Sequence, residues 1–214
     1  IRALKNRFGS TNEVGVFEMR EGGLVEVLDA SARFVGEATR AAGSVVLASM
    51  EGSRPLLVEV QALVSPSELV PPRRIANGID RNRLALVLAV LARHGGVAVG
   101  TADVFVNVVG GVRVDEPGAD LAVALAVASA ARGVILGADD GEQAPPLAVF
   151  GEVGLTGELR SVAHHDRRAE EAAKFGLTTL VTPETAPTLR DAVRLAFGQR
   201  GGPRAGPPDT ASNP

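Results

Sequence analysis

Cysteine is absent from these 214 residues, and so are tryptophan and tyrosine. Without cysteine there is no disulfide framework and no thiolate chemistry, which suits a reducing cytoplasm, the expected location. Phenylalanine supplies all of the 3% aromatic content, too little to expect a platform of rings that stack the bases of a single strand. Lysine is nearly missing as well: Lys5 and Lys174 are the only two, and arginine carries the rest of the positive charge. A P-loop needs Gly-Lys-Ser/Thr after a strand, and neither lysine stands in that setting. A Ser–Lys nucleophile pair needs a buried lysine, which neither position offers. The apolar run at 121–131 is too short to span a bilayer, and nothing reads as a signal peptide. The net charge of −3 excludes a polycation that binds by bulk charge alone.

What remains is ordinary for a globular chain, 45% hydrophobic and 22% charged. Glu13–Met19 and Leu24–Leu28 alternate around Glu21-Gly22-Gly23 and predict a hairpin, the end of a sheet whose other strands are not in this stretch. The start at Ile1, without an initiator Met, reads as a piece of a longer protein. Asp29 to Ala42 is polar and alanine-rich, a helix or linker marking a domain boundary. Strands are predicted at Ser44–Met50, Leu56–Val64, Asp103–Val109, Leu147–Glu152 and Thr178–Thr182, with a hairpin at Gly154–Arg160. Helices are predicted from Asp80 to Gly95, over 121–131, at Arg167–Phe175 and at Pro187–Phe197. The alternation gives an α/β (α+β) domain over 43–197, followed by a Gly/Pro tail at 198–214 expected to be disordered.

The chain is organised around Val114-Asp-Glu-Pro-Gly-Ala-Asp120 and the apolar 121–131 that follows. A helix apolar on every side is buried all round, and acids with a proline before it are the chemistry of a helix start. Free N–H groups at such a start favour a nucleophile or an anion. Gly118 stands there, with no side chain to react.

Two sets of residues carry a resemblance. Lys5-Asn6-Arg7-Phe8-Gly9 followed by Glu13–Met19 looks like the Lys-Asn-Arg-Phe-Gly motif of the bacterial RadA (Sms) DNA repair family. Arg54–Val64, Pro72-Arg-Arg74, Gly78–Leu84 and Phe150–Arg160 resemble the same family, so the likeness covers roughly 1–197. It implies that 1–35 closes a RecA-like ATPase core, that 36–42 is a linker, and that 43–197 is a Lon-protease-like domain of the ribosomal S5 domain 2-like fold. By register with Lon proteases, Gly118 falls at the nucleophilic serine and Asp166 at its activating lysine. Both reactive groups would then be missing, a pseudo-protease. Ser129 reads as a packed core hydroxyl, not a replacement nucleophile.

The resemblance also implies a DNA-dependent ATP hydrolase that drives branch migration on recombination intermediates. ATP and Mg would serve the intact protein, zinc would belong to a finger outside this stretch, and the chain alone would bind none of them. Expected partners are single-stranded and branched DNA, a RecA-type recombinase, and further copies in a homo-oligomeric ring, expected to be a hexamer. Lys5 and Arg7 would reach the ATP of a neighbouring subunit in trans and stabilise charge on its transferring phosphoryl group, with Asn6, Phe8 and Gly9 setting the geometry. For DNA, the positions matter more than the count. Residues 73–94 hold five arginines against one acid, Asp80. Arg54, Arg73, Arg74, Arg81, Arg83, Arg113 and Arg160 are candidates for a basic face that grips phosphates without reading bases. His94, His164 and His165 lack metal-ligand spacing, and Lys174 suits a helix C-terminus. The rival readings are an active Ser–Lys peptidase and a pure oligomerisation scaffold whose arginines pair between subunits.

Overall fold

A computed structural model describes residues 15, 17–27, 29–36, 38–137 and 146–198. Its centre is a six-stranded mixed sheet. β1 (Phe17–Arg20) and β2 (Gly23–Glu26) pair first, as a separate antiparallel hairpin with Met19 opposite Leu24. Phe17, Met19, Leu24 and Val25 are exposed on it.

The sheet begins with the hairpin of β3 (Ser44–Glu51) and β4 (Arg54–Pro66), in register from Ser44 opposite Gln61 to Glu51 opposite Arg54. β5 (Arg74–Asn77) lies parallel to β6 (Ala102–Val108), which runs antiparallel to β4. β7 (Ala148–Val149) and β10 (Leu180–Val181) complete the other side, giving the order β10-β7-β3-β4-β6-β5. A small pair, β8 (Glu152–Val153) with β9 (Leu159–Arg160), stands apart. Successive strand residues point to opposite faces, and Val45–Ala48 and Leu56–Val60 are buried without a break. Both faces of the sheet are therefore covered there.

One layer is made by α2 (Arg81–His94), α3 (Asp120–Arg132) and α5 (Leu189–Ala196), which touch one another. The other is made by α1 (Ala30–Val35) and α4 (His165–Lys174), both seated on β4. α2 is capped by Asp80, whose carboxylate accepts the Arg83 N–H at 2.9 Å, and it buries Leu84, Val87, Leu88 and Leu91. α3 is buried from Asp120 to Ser129, as its all-apolar pattern predicts. It stops at Gly133, whose left-handed φ of +63 suits glycine. Ser129 fixes this end: its hydroxyl donates to the Val134 carbonyl at 2.6 Å and accepts the Gly43 N–H at 2.8 Å.

Three expectations change. The linker expected over 36–42 does not separate α1 from the layers that follow it. Ser31 accepts the Leu57 N–H at 3.1 Å and donates to Glu171 on α4 at 2.6 Å, so α1 is part of the packed layers. Small residues at 30–32 allow that approach, and their lack of bulk hid it in the sequence. The strand expected over 147–152 is two: Gly151, at φ +155, turns the chain between β7 and β8. Arg74–Asn77, where no strand is predicted from the sequence, is a parallel strand of the sheet. Lys5, Arg7 and the rest of the first motif lie outside the described residues, as does the tail beyond 198.

Candidate functional site

Gly118 sits in a short 3₁₀ turn, Pro117–Ala119, that leads directly into α3. Its carbonyl accepts the Gly151 N–H at 2.9 Å, and the Gly151 carbonyl accepts the Leu121 N–H at 3.2 Å, so the junction between β7 and β8 is stitched to the helix start. A Cβ at Gly151 would stand 3.1 Å from the Pro183 ring, which keeps that approach for glycine. The helix start is a rigid, buried corner.

Two charges fill the corner. A Cβ built on Gly118 would lie 3.2 Å from Glu116 Oε2 and 3.4 Å from Arg168 Nη1. Arg168, on α4, is only 2% exposed. Its Nη1 donates to Glu116 Oε1 at 2.9 Å and to the Ala48 carbonyl at 2.7 Å, its Nε donates to the Ala163 carbonyl at 3.0 Å, and Nη2 closes a second bond to Glu116. The guanidinium also lies 5.5 Å from the Phe150 ring centroid. Glu116 accepts in addition from Ser49 Oγ at 2.6 Å and the Met50 N–H at 2.9 Å. Burial opposes ionisation of Glu116, but the bonds from Arg168 and Ser49 outweigh it and hold its carboxyl below the usual range. A guanidinium stays protonated and cannot serve as a general base. Chemically the corner is an internal clamp joining α3, β3 and α4.

Asp166, which the resemblance puts at the lysine position, is 96% exposed in its side chain and within 3.4 Å of His165. The cation that reaches Gly118 comes from Arg168, two residues on. Arg168, Glu171 and Ala172 form the buried face of α4, which the structure reveals among the many charged residues of that helix.

On the other side of α3, Asp120 is 2% exposed and accepts Arg83 Nε at 2.6 Å, a second bond from Arg83 Nη2, and the Val153 N–H at 3.0 Å. Burial raises the Asp120 carboxyl despite these bonds, and the bond to Asp120 in turn raises Arg83. A cleft of about 180 Å³ opens between this pair and the Asp115–Pro117 turn, with Ile79, Leu84 and Val87 as its apolar wall.

The seven candidate arginines are not brought together as free charges. Arg83, expected on a basic face, is locked to Asp120 instead. Arg74 donates to the Val99 carbonyl at 2.8 Å and to those of Ala102 and Arg73, tying β5 to the loop before β6. Arg73 grips the fully buried Asp103 through Nε at 2.7 Å and stacks on Phe105 at 5.4 Å, with its outer edge 54% exposed. Arg113 pairs with Asp115 at 2.8 Å and Arg160 with Glu158 at 2.6 Å, both in the open. Arg54 faces Glu51 across the β3–β4 turn. Arg81 is exposed in the first turn of α2 and makes no hydrogen bond or ion pair among the described residues. Among the described residues, no group of three or more His, Asp or Glu side chains is placed to hold a metal. No described helix is long and apolar enough to cross a membrane.

Fold and site together define a mixed α/β protein whose buried helix start, with glycine at 118, is braced by an arginine–glutamate pair. No family model matches the chain. Over most of its length, the chain is similar to several proteins named DNA repair protein RadA. It is 49% identical to RadA of Halalkalibacterium halodurans over 93% of this chain, 49% identical to RadA of Bacillus subtilis over 86%, and 53% identical to RadA of Pseudomonas aeruginosa over 86%. It spans 46%, 39% and 39% of those proteins, less than half of each.

Proposed function

We propose that the chain is the C-terminal part of a RadA-like, DNA-dependent ATPase that processes recombination intermediates and promotes branch migration in DNA repair. In this reading it supplies a DNA-binding, ring-forming scaffold and, through Lys5 and Arg7, a trans-acting arm for a neighbour's ATP site. ATP and Mg belong to the intact protein, and peptide hydrolysis is not among its activities. The observation that carries the scaffold reading is the clamp beside Gly118: the place where a Ser–Lys pair would work holds Glu116 and a permanently charged Arg168, both engaged with the backbone of β3. Similarity to proteins named for DNA repair, over 86–93% of the chain, supports the assignment to that process.

The test is ATP turnover by the full-length protein with and without single-stranded DNA. Lys5→Ala and Arg7→Ala should each leave folding unchanged and lower DNA-stimulated turnover, on the order of a thousandfold for loss of a cation that acts as an arginine finger does. Wild-type turnover in both variants removes the trans-acting role. Turnover that never responds to DNA removes the DNA-dependent ATPase itself.

A further inference from the structure

Three arginines meet at a place the sequence did not single out. Arg132 ends α3, while Arg190 and Arg194 stand four residues apart on α5 and therefore share a face. All three line one open cleft of about 980 Å³, with Gly95 from the end of α2 and Pro187 before α5 forming part of its wall.

Their partners set them apart from the other arginines. A guanidinium already paired with a carboxylate gains little from a phosphate, since the old partner must be given up. By that measure Arg73 and Arg83, each locked to a buried carboxylate, are weak candidates, while Arg113 and Arg160 hold only exposed pairs and do not line the cleft. Arg132 is different: its guanidinium lies 4.5 Å from the Phe197 ring centroid, and it has no carboxylate partner among the described residues. A ring under a guanidinium fixes its plane and leaves the N–H edge free to donate, the geometry suited to a phosphate. Arg190 is exposed and makes a single long contact, 3.5 Å, to the His94 carbonyl. Arg194 is 73% exposed and shares Asp191 at 2.9 Å, an exposed pair three residues apart and worth little. Three cations thus face the cleft with one acid among its lining residues. The cleft is also wide and open, a shape for a polymer running across it.

We propose that this cleft binds the phosphate backbone of a DNA strand through Arg132, Arg190 and Arg194, without reading base sequence. The inference rests on the DNA-binding reading above and locates it. Arg132, placed over the Phe197 ring, sets the position of one phosphate, and the pair on α5 holds its neighbours.

The measurement is fluorescence anisotropy of labelled 30-nucleotide oligo-dT, and of a 30-base-pair duplex, titrated with the intact chain across a series of salt concentrations. Arg190→Glu/Arg194→Glu and, separately, Arg132→Gln should weaken binding, the double variant by about tenfold or more at low salt. On the single strand, the slope of log affinity against log salt should become shallower by about 0.7 for each phosphate no longer neutralised. Arg113→Glu and Arg160→Glu, checked alongside, should bind nearly as the parent does. Circular dichroism confirms that each variant is folded, and the exposed α5 variant keeps the test open if Arg132→Gln loosens the C-terminal helix. Parent-like binding by the folded α5 variant, or loss confined to Arg113→Glu and Arg160→Glu, places DNA elsewhere and overturns the cleft. A parent chain that binds no DNA at low salt overturns the DNA-binding reading and the cleft with it. A parent that instead holds poly-glutamate in an Arg190-dependent way overturns the DNA cleft and makes it a dock for acidic protein.

Discussion

Removing Glu116 should cost more than any other single polar change near the helix start. Glu116→Ala leaves Arg168, 2% exposed, with only the Ala48 and Ala163 carbonyls for its charge. Stripping one partner from a buried pair costs about 3–5 kcal/mol. The Glu116 side chain is itself 21% exposed, so water can enter the space it leaves, which favours the lower end, about 3 kcal/mol. Loss of the bonds from Ser49 and the Met50 N–H adds about 1 kcal/mol. A total of about 4 kcal/mol corresponds to a fall in Tm of about 8–16 °C for a domain of this size. Urea unfolding followed by circular dichroism would measure it. A double-mutant cycle with Glu116→Gln and Arg168→Met isolates the pair: the double variant should be less destabilised than the two singles summed, by about 1–3 kcal/mol. A loss below about 1 kcal/mol for Glu116→Ala, or a coupling of zero, would refute the clamp.

Two further outcomes follow from the same geometry. Hydrogen bonds from Ser67 and Arg73 hold the Asp103 carboxyl down to about 2. Its folded value lies below the unfolded one, so the stability it contributes is present above about pH 4 and is lost as pH falls toward 2. Asp103→Asn should flatten the stability curve in that window, and an unchanged acid limb in urea titrations at several pH values would contradict it. Gly118→Ser should fold, because its Cβ would meet only side-chain ends, at 3.2 and 3.4 Å, and should not hydrolyse fluorogenic casein, since Arg168 cannot take the proton. Turnover above that of the parent chain would show that a base exists at the corner after all.

Much of the fold is legible in the residues because local patterns and burial agree. The apolar period of α2 and its Asp80 cap, the unbroken apolar α3 and the β3–β4 hairpin depend on side chains near in sequence. Elements fixed by distant partners are not legible in this way. β5 is four residues beside a Pro-Pro pair and is a strand because β6 offers a parallel edge. The run 147–152 holds two strands because Gly151 is bound to Gly118 and Leu121 across the fold. The seat of α1 is not legible because the residues that make it are Ala30 and Ser31, whose value lies in fitting close to β4.

The site divides along the same line. Sequence alone determined that this stretch holds no cysteine thiolate and no Gly-Lys-Ser/Thr P-loop, because the residue types are missing or misplaced. It also determined that Gly118 opens a buried helix without a reactive side chain. Only the tertiary structure decided which charges are spent. Net charge and arginine spacing cannot tell a guanidinium locked to a buried carboxylate, as Arg83 is to Asp120, from one left open, as Arg190 is. Pairing depends on which helix ends and loops meet in space. Arg168 and Glu116 are 52 positions apart in the chain and within hydrogen-bond distance in the fold.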